Sequence, residues 1–468
     1  VSSSALFLWG VLLVAVSGLF AAPALSRRFP RMWWCVVGFP VLWLRMRRTW
    51  RRLARECDLT VMRGSGSALV GRLAVKGREL DALVPHLVVR LPRKARRVSA
   101  TVRLLAGQTP AEFVKAGEAM AHAWRVHAVR VTSRERGRVD LLVSATDPLM
   151  DPEVAPSSLG AYLARLKAAA VARGGLWGRF GQGSKADVPV LPEGASVLMV
   201  RLGVREDAWP WVLDMAAVPH WLITGATGSG KSNLINAVVV ELAPRPVALV
   251  GVDLKGGLEL APYRPRLSAL ATTRAETVGV LDGLCKLLDT RMGQCREWGV
   301  RSIWDLPALV RPVPVVVIVD EVAELYLAVD KAGKAEAAQC SVMLIRLAQL
   351  GRALGFHLII AGQRVSADLG DGVTALRAQL GGRICHRVSD PGTAVMTLGD
   401  LYPEAVDAAQ AITPGEKGVA ITTDAEGMWL RARAVYTTSA AVVETVEQFA
   451  HLRPSLPMLD QMAGGGLG

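Results

Sequence analysis

Apolar positions along this chain fall into three patterns, and each predicts a different kind of structure. From Ala5 to Leu25 nearly every residue is apolar and none is charged. As a helix rising about 1.5 Å per residue, that stretch is roughly 30 Å long, the thickness of a bilayer core. A second apolar stretch, Met32 to Leu44, contains Pro40 and is short for a span. Between residues 59 and 173 the pattern turns mixed. It predicts a helix over Pro110–Trp124 and strands over Val126–Arg130 and Val139–Ser144, joined by a charged turn through Gly137. A further helix is expected over Ser157–Arg173. Gly, Pro and small residues then dominate 174–195, which reads as a linker.

Beyond residue 196, short unbroken apolar runs alternate with helix-patterned segments. The runs are Trp221–Thr224, Pro246–Val252, Val315–Val319 and Phe356–Ala361. The segments are Asn233–Leu242, Thr273–Trp298 and Cys340–Leu350. Val315–Val319 is wholly β-branched, as suits a strand covered on both faces. Strands alternating with helices predict a parallel α/β sheet. The expected organisation is a membrane anchor over 1–55, a small α/β domain over 56–173 and a linker over 174–195. A large α/β domain follows over 196–440, then a short C-terminal helix and tail over 441–468.

Charge sharpens this picture. The formal net charge is +14, which favours an anionic partner such as nucleic acid or anionic lipid. Arg45, Arg47, Arg48, Arg51, Arg52 and Arg55 follow the second apolar stretch. The positive-inside rule keeps such a block on the cytoplasmic side, and Trp33, Trp34 and Trp43 suit a headgroup interface. The expectation is a protein of the cell membrane whose bulk lies in the cytoplasm. Arg27, Arg28 and Arg31 flank the other side, so one span and two spans both stay open. Arg93, Lys94, Arg96 and Arg97 form a basic cluster that reads as a DNA contact or as a solvated strand rim. The six cysteines form no CxxC pair and no zinc-spaced cluster, so they read as reduced structural thiols.

The sharpest local signal is GATGSGKS, that is Gly225, Ala226, Thr227, Gly228, Ser229, Gly230, Lys231 and Ser232, directly after an apolar strand. Glycines let several main-chain N–H groups turn toward one phosphate chain. Lys231 is the expected point charge for the β and γ phosphates of ATP, and Ser232 the expected hydroxyl ligand of Mg2+. The Val315–Val319 run ends in Asp320 and Glu321. Asp320 is expected to hold Mg2+ through water, and Glu321 to polarise the attacking water. Gln363, at the tip of the next strand, is the candidate γ-phosphate sensor; the competing reading is a loop residue holding the sheet edge. Arg352, Arg377, Arg383 and Arg387 are candidates for an arginine offered to a neighbouring subunit.

Taken together, these motifs resemble the FtsK/SpoIIIE family. The resemblance runs over about residues 196–425. It is carried by GATGSGKSN, by Asp253-Leu254-Lys255-Gly256-Gly257-Leu258-Glu259, by the VVVIVDEVAEL run, by Arg352–His357 and by Gln363-Arg364. Two segments depart from the family pattern, Ala361–Val365 and Ala378–Gly381. The stretch from Leu376 to Asp400 resembles instead the conjugative transfer branch of actinobacterial plasmids and integrative elements. The resemblance implies a RecA-like P-loop motor, here with a smaller α/β N-terminal soluble domain and an N-terminal membrane segment. It implies a hexameric homo-oligomeric ring that moves double-stranded DNA, with plasmid transfer accessory proteins as further partners. The leading expectation is therefore a membrane-anchored, ATP-driven double-stranded DNA translocase for conjugative transfer. A chromosome-partitioning translocase and a coupling or secretion-type ATPase are the alternatives. The segment after the strand-like run Trp429–Thr438 is short, so the winged-helix DNA reader of many family members is not expected in it.

Overall fold

The computed structural model describes residues 28, 30–62, 82–90, 97–133, 135–150, 195–207, 209–365, 369–370, 372–399, 403–423 and 428–459. The helix expected over Ser157–Arg173 and the linker up to residue 194 lie outside them. The chain forms two compact units, Val1–Asp147 and Pro148–Gly468.

In the first unit, helix α1 (Phe39–Glu56) precedes a short antiparallel pair, β1 (Val61–Met62) and β2 (Ala82–Leu83). Strands β3 (Leu87–Val89), β4 (Arg97–Arg103), β5 (Ala128–Thr132) and β6 (Arg138–Ser144) form an antiparallel sheet of order β3-β4-β6-β5. The expected Pro110–Trp124 helix is two helices, α2 (Pro110–Lys115) and α3 (Gly117–Trp124). Val98, Ala100 and Val102 of β4 alternate toward one face of the sheet. There they join Phe113, Met120 and Trp124 in one core.

Helix α1 corrects the membrane expectation. Leu42, Met46, Trp50 and Leu53 recur at helical spacing and are buried in that core. Trp50 Nε1 donates to Pro85 O at 2.7 Å, and Arg45 donates to Trp124 O at 2.8 Å. The Arg47 guanidinium lies over the Trp43 ring, while Arg48, Arg51, Arg52 and Arg55 are exposed. The second apolar stretch is thus partly the stripe of a helix packed side-on against a domain. Trp34 and Phe39 pack partly against the same core, while Met32, Val36, Val41 and Leu44 are exposed. Among the described residues no helix is long and apolar enough to cross a membrane. The stretch Ala5–Leu25 lies outside the described residues. The α/β fold is therefore without the expected membrane segment among the described residues, and these lend the cell-membrane placement no support.

The second unit is built on a ten-stranded sheet. Its strands are β7 (Met199–Arg205), β8 (Pro210–Asp214), β9 (His220–Thr224), β10 (Ala248–Val252), β11 (Leu267–Ala271), β12 (Val315–Val319), β13 (Phe356–Gly362), β14 (Gly382–His386), β15 (Val419–Thr423) and β16 (Trp429–Ala434). Their order is β11-β10-β12-β13-β9-β14-β15-β16-β7-β8. The first six in that order run parallel, and the rest join antiparallel. Along β12, Val315, Val317 and Val319 enter one core, and Val316 and Ile318 enter the other. Both faces are covered, which is why the strand is apolar at every position. Helices α4 (Lys231–Leu242), α5 (Arg274–Glu297) and α6 (Lys331–Leu354) supply the cover. Thr273 caps α5 with a capping box, and Asp330 caps α6 by accepting from Gly333 N.

Register aligns the carboxyl ends of the parallel strands. Val252 pairs with Val319, Val319 with Ile360, Gly362 with Thr224, and Thr224 with Cys385. The residues that follow each strand therefore meet at one edge, where open α/β sheets bind ligands. At the opposite edge, Arg291 donates to Leu354 O and Val313 O at 2.7 Å each, and its guanidinium lies over Phe356.

His220 and His357 sit on adjacent strands, both buried. Burial pushes His220 down to about 4 and His357 to about 3. An unfolded chain would protonate both as pH falls through about 6.5, while the folded chain would not until near those lower values. The unfolded state therefore binds more protons in that window, and stability falls as pH falls. Urea midpoints of the wild type should drop between pH 6.5 and 5, and the drop should be smaller in the His220→Gln/His357→Gln variant.

Candidate functional site

The loop after β9 is fixed from several directions. Ala226 N donates to Arg387 O at 2.9 Å, and the Arg387 guanidinium donates back to Thr227 O at 3.3 Å. Gly418 N donates to Ser229 O at 2.8 Å. Gly230 has φ +113°, and a Cβ there would lie 2.6 Å from Gly418 N, so only glycine fits this crossing. Helix α4 begins at Lys231, so its free N–H groups face the loop.

Three further strand ends complete the site. Asp320 and Glu321 follow β12 and are buried. Lys231 Nζ donates to Glu321 Oε2 at 3.2 Å and to Asp320 O at 3.3 Å. Gln363 follows β13, the strand between the loop and the acidic pair. Its main-chain N–H donates to Glu321 Oε1 at 3.0 Å. Gln363 lines the same cavity, so the residue expected as a sensor also anchors the carboxylate through its backbone.

Asp253, after β10, folds the next loop. It is fully buried. Its carboxylate accepts from Lys255 N (3.1 Å), Glu259 N (2.8 Å) and Leu260 N (3.0 Å). That turn places Lys255 Nζ 3.5 Å from Glu321 Oε2. Glu321 thus receives two ammonium groups and one main-chain N–H.

A cavity of about 620 Å³ joins these groups. It is lined by Gly225, Ala226, Thr227, Gly228, Gly230, Lys231, Ser232, Asp320 and Gln363 from the expected set. Lys255 and Glu259 line it too; both were singled out only as part of a motif. Lys417, Arg433 and Tyr436 also line it, and no local signal in the sequence marked them. Arg352 is exposed at the C-terminal end of α6. It precedes β13, and so lies roughly 20 Å, one strand length, from the loop. Arg383 is buried and donates to Arg377 O at 3.0 Å.

The donor set fits a magnesium–polyphosphate. Asp320 Oδ1 is buried without a hydrogen-bond partner, and Ser232 lines the same cavity. Burial, and the nearby carboxylates of Glu259 and Asp253, push the Asp320 carboxyl up, while Lys231 and Lys255 oppose that shift. A cation beside Oδ1 would remove the cost of the unpaired buried oxygen. Among the described residues no group of three or more His, Cys, Asp or Glu is placed to hold a metal ion. Mg2+ bound by few protein ligands plus phosphates needs no such group.

Comparisons with known proteins give the family. The FtsK/SpoIIIE family model matches residues 193–312 and 305–367. A protein called sporulation regulatory protein, from Streptomyces azureus, is 47% identical over 242 residues, covering 52% of this chain and 80% of that protein. The chain belongs to the FtsK/SpoIIIE family. Its N-terminal unit matches the actinomycete conjugal transfer protein N-terminal domain over residues 22–145. Transfer protein TraSA of Streptomyces ambofaciens is 43% identical over 273 residues, 56% of this chain and 66% of that protein. DNA translocase FtsK of Caldanaerobacter subterraneus subsp. tengcongensis is 35% identical over 188 residues, 38% of this chain and 25% of that protein. This FtsK/SpoIIIE member thus spans only a quarter of the length of that translocase. Membership carries ATPase activity in general, with ATP and Mg2+ as the family's usual requirements, and DNA binding and hexameric assembly are typical of the family. The membrane-anchored reading is not borne out: no helix among the described residues is long and apolar enough to cross a membrane.

Asp253→Ala would strip the acceptor from three main-chain N–H groups in the buried turn. We expect a loss of about 3 kcal/mol in stability, read as a lower denaturant midpoint with unchanged slope.

Proposed function

We propose that this chain is a coupling-type ATPase of conjugative transfer. It hydrolyses ATP and drives DNA, taken to be double-stranded, as a hexameric homo-oligomeric ring. The observation that carries this reading is the convergence of Lys231, Ser232 and Asp320 on one cavity at the glycine loop, with Glu321 held against Lys231 at 3.2 Å. The likeness to TraSA and to the conjugal transfer N-terminal domain supports the place in conjugation, with transfer accessory proteins as partners. The net charge of +14 suits a polyanionic cargo.

The roles follow from the geometry. Ser232 and Asp320 would hold Mg2+, which supplies charge neutralisation for the β and γ oxygens when bound. Lys231 would exchange its bond to Glu321 for the phosphates. Glu321 then stays anchored by Lys255 on Oε2 and by Gln363 N–H on Oε1, and the acceptor position on Oε2 that Lys231 vacates can orient the attacking water. The Gln363 side chain is the γ-phosphate sensor in this scheme. Arg352 does not line its own chain's cavity, so any role in hydrolysis falls on a neighbouring subunit's site.

ATP hydrolysis by the purified chain should be compared with duplex DNA, single-stranded DNA and no DNA. Duplex should raise turnover several-fold, and Lys231→Ala should lower it by roughly 10^2-fold or more. Equal rates with and without nucleic acid would contradict the DNA assignment; unchanged turnover in Lys231→Ala would contradict the site.

A further inference from the structure

The cavity has a second end that the phosphate chemistry does not use. It is bounded by Gly415, Lys417, Gly418 and Tyr436, beyond the loop from the acidic pair. Tyr436 is 52% exposed, a large aromatic that no core requires. Its placement is nevertheless fixed. Asn233, in the first turn of α4, donates through Nδ2 to Val435 O at 2.8 Å and accepts through Oδ1 from Thr437 N at 2.8 Å. One side chain thus grips the main chain on both sides of Tyr436 and ties it to the helix that starts at Lys231. Gly418 in turn donates to Ser229 O, so this wall and the phosphate loop form one framework.

We propose that Tyr436 is the stacking platform for the nucleobase of the bound nucleotide. The proposal rests on the ATPase reading and adds the residue that recognises the part of the substrate beyond its phosphates. A flat aromatic held at the cavity wall offers a π face to any base, and stacking of this kind is worth roughly tenfold or more in affinity. The phosphate end would contribute independently of it.

The test separates the two ends by direct binding, without turnover. Calorimetric affinities of the full chain for ATP and for inorganic tripolyphosphate, each with Mg2+, should be compared in wild type, Tyr436→Ala and Tyr436→Phe. The Tyr436→Ala change should weaken ATP by roughly tenfold or more and leave tripolyphosphate unchanged, and Tyr436→Phe should bind both like wild type. An unchanged ATP affinity in Tyr436→Ala would overturn the proposal, and so would an equal loss for both ligands, which would assign Tyr436 to supporting the loop. Tripolyphosphate and ATP both failing to bind the wild type would instead remove the ATPase reading on which the proposal stands.

Discussion

Two lysines, Lys231 and Lys255, converge on one buried carboxylate, Glu321, and the rest of the site is arranged to make that burial affordable. An ionised carboxylate taken out of water without partners costs several kcal/mol. Here it is offset by two ammonium groups and a main-chain N–H from Gln363. Each partner arrives from a different strand end: Lys231 after β9, Lys255 after β10, Gln363 after β13. The parallel register that aligns those ends is therefore a precondition of the chemistry. The same constraint explains Asp253, which does not itself line the cavity yet shapes the turn that delivers Lys255.

Local constraints were legible in the sequence and distant ones were not. The loop Gly225–Ser232 could be read because close approach to a phosphate chain demands glycine and lysine at fixed spacing. The strand Val315–Val319 could be read because covering both faces forces a continuous apolar run. Helix α6 begins at Lys331, ahead of the expected Cys340, because its first turns carry Lys, Glu and Ala without an apolar stripe and rely on the Asp330 cap. The wall made by Lys417 and Tyr436 reaches the loop only through the antiparallel end of the sheet. Nothing within a short window announces that meeting. Gln363 was placed at the right strand tip, but which of its atoms meets Glu321 depends on the stagger of β13 past β12.

The second apolar stretch shows what a composition argument leaves out. Counting apolar residues over Met32–Leu44 ignores where they point. In α1 the stripe that begins at Leu42 continues through Met46, Trp50 and Leu53, among arginines that face solvent. Periodicity, not length, decides between a stripe packed on a domain and a surface facing lipid. The conjugal transfer match of this unit accords with a folded domain. What ties the two halves of the functional reading together is thus family membership and the nucleotide cavity, with no appeal to a bilayer.

The most direct test of the central claim is to remove the charge on which the two lysines converge and to separate binding from hydrolysis. Glu321→Gln keeps the shape and the bond from Gln363 N–H while freeing Lys231 from its pair. ATP affinity, measured at equilibrium, should equal or exceed that of wild type, while single-turnover hydrolysis should slow by roughly 10^2-fold or more. Hydrolysis at the wild-type rate, or loss of ATP binding, would contradict the account.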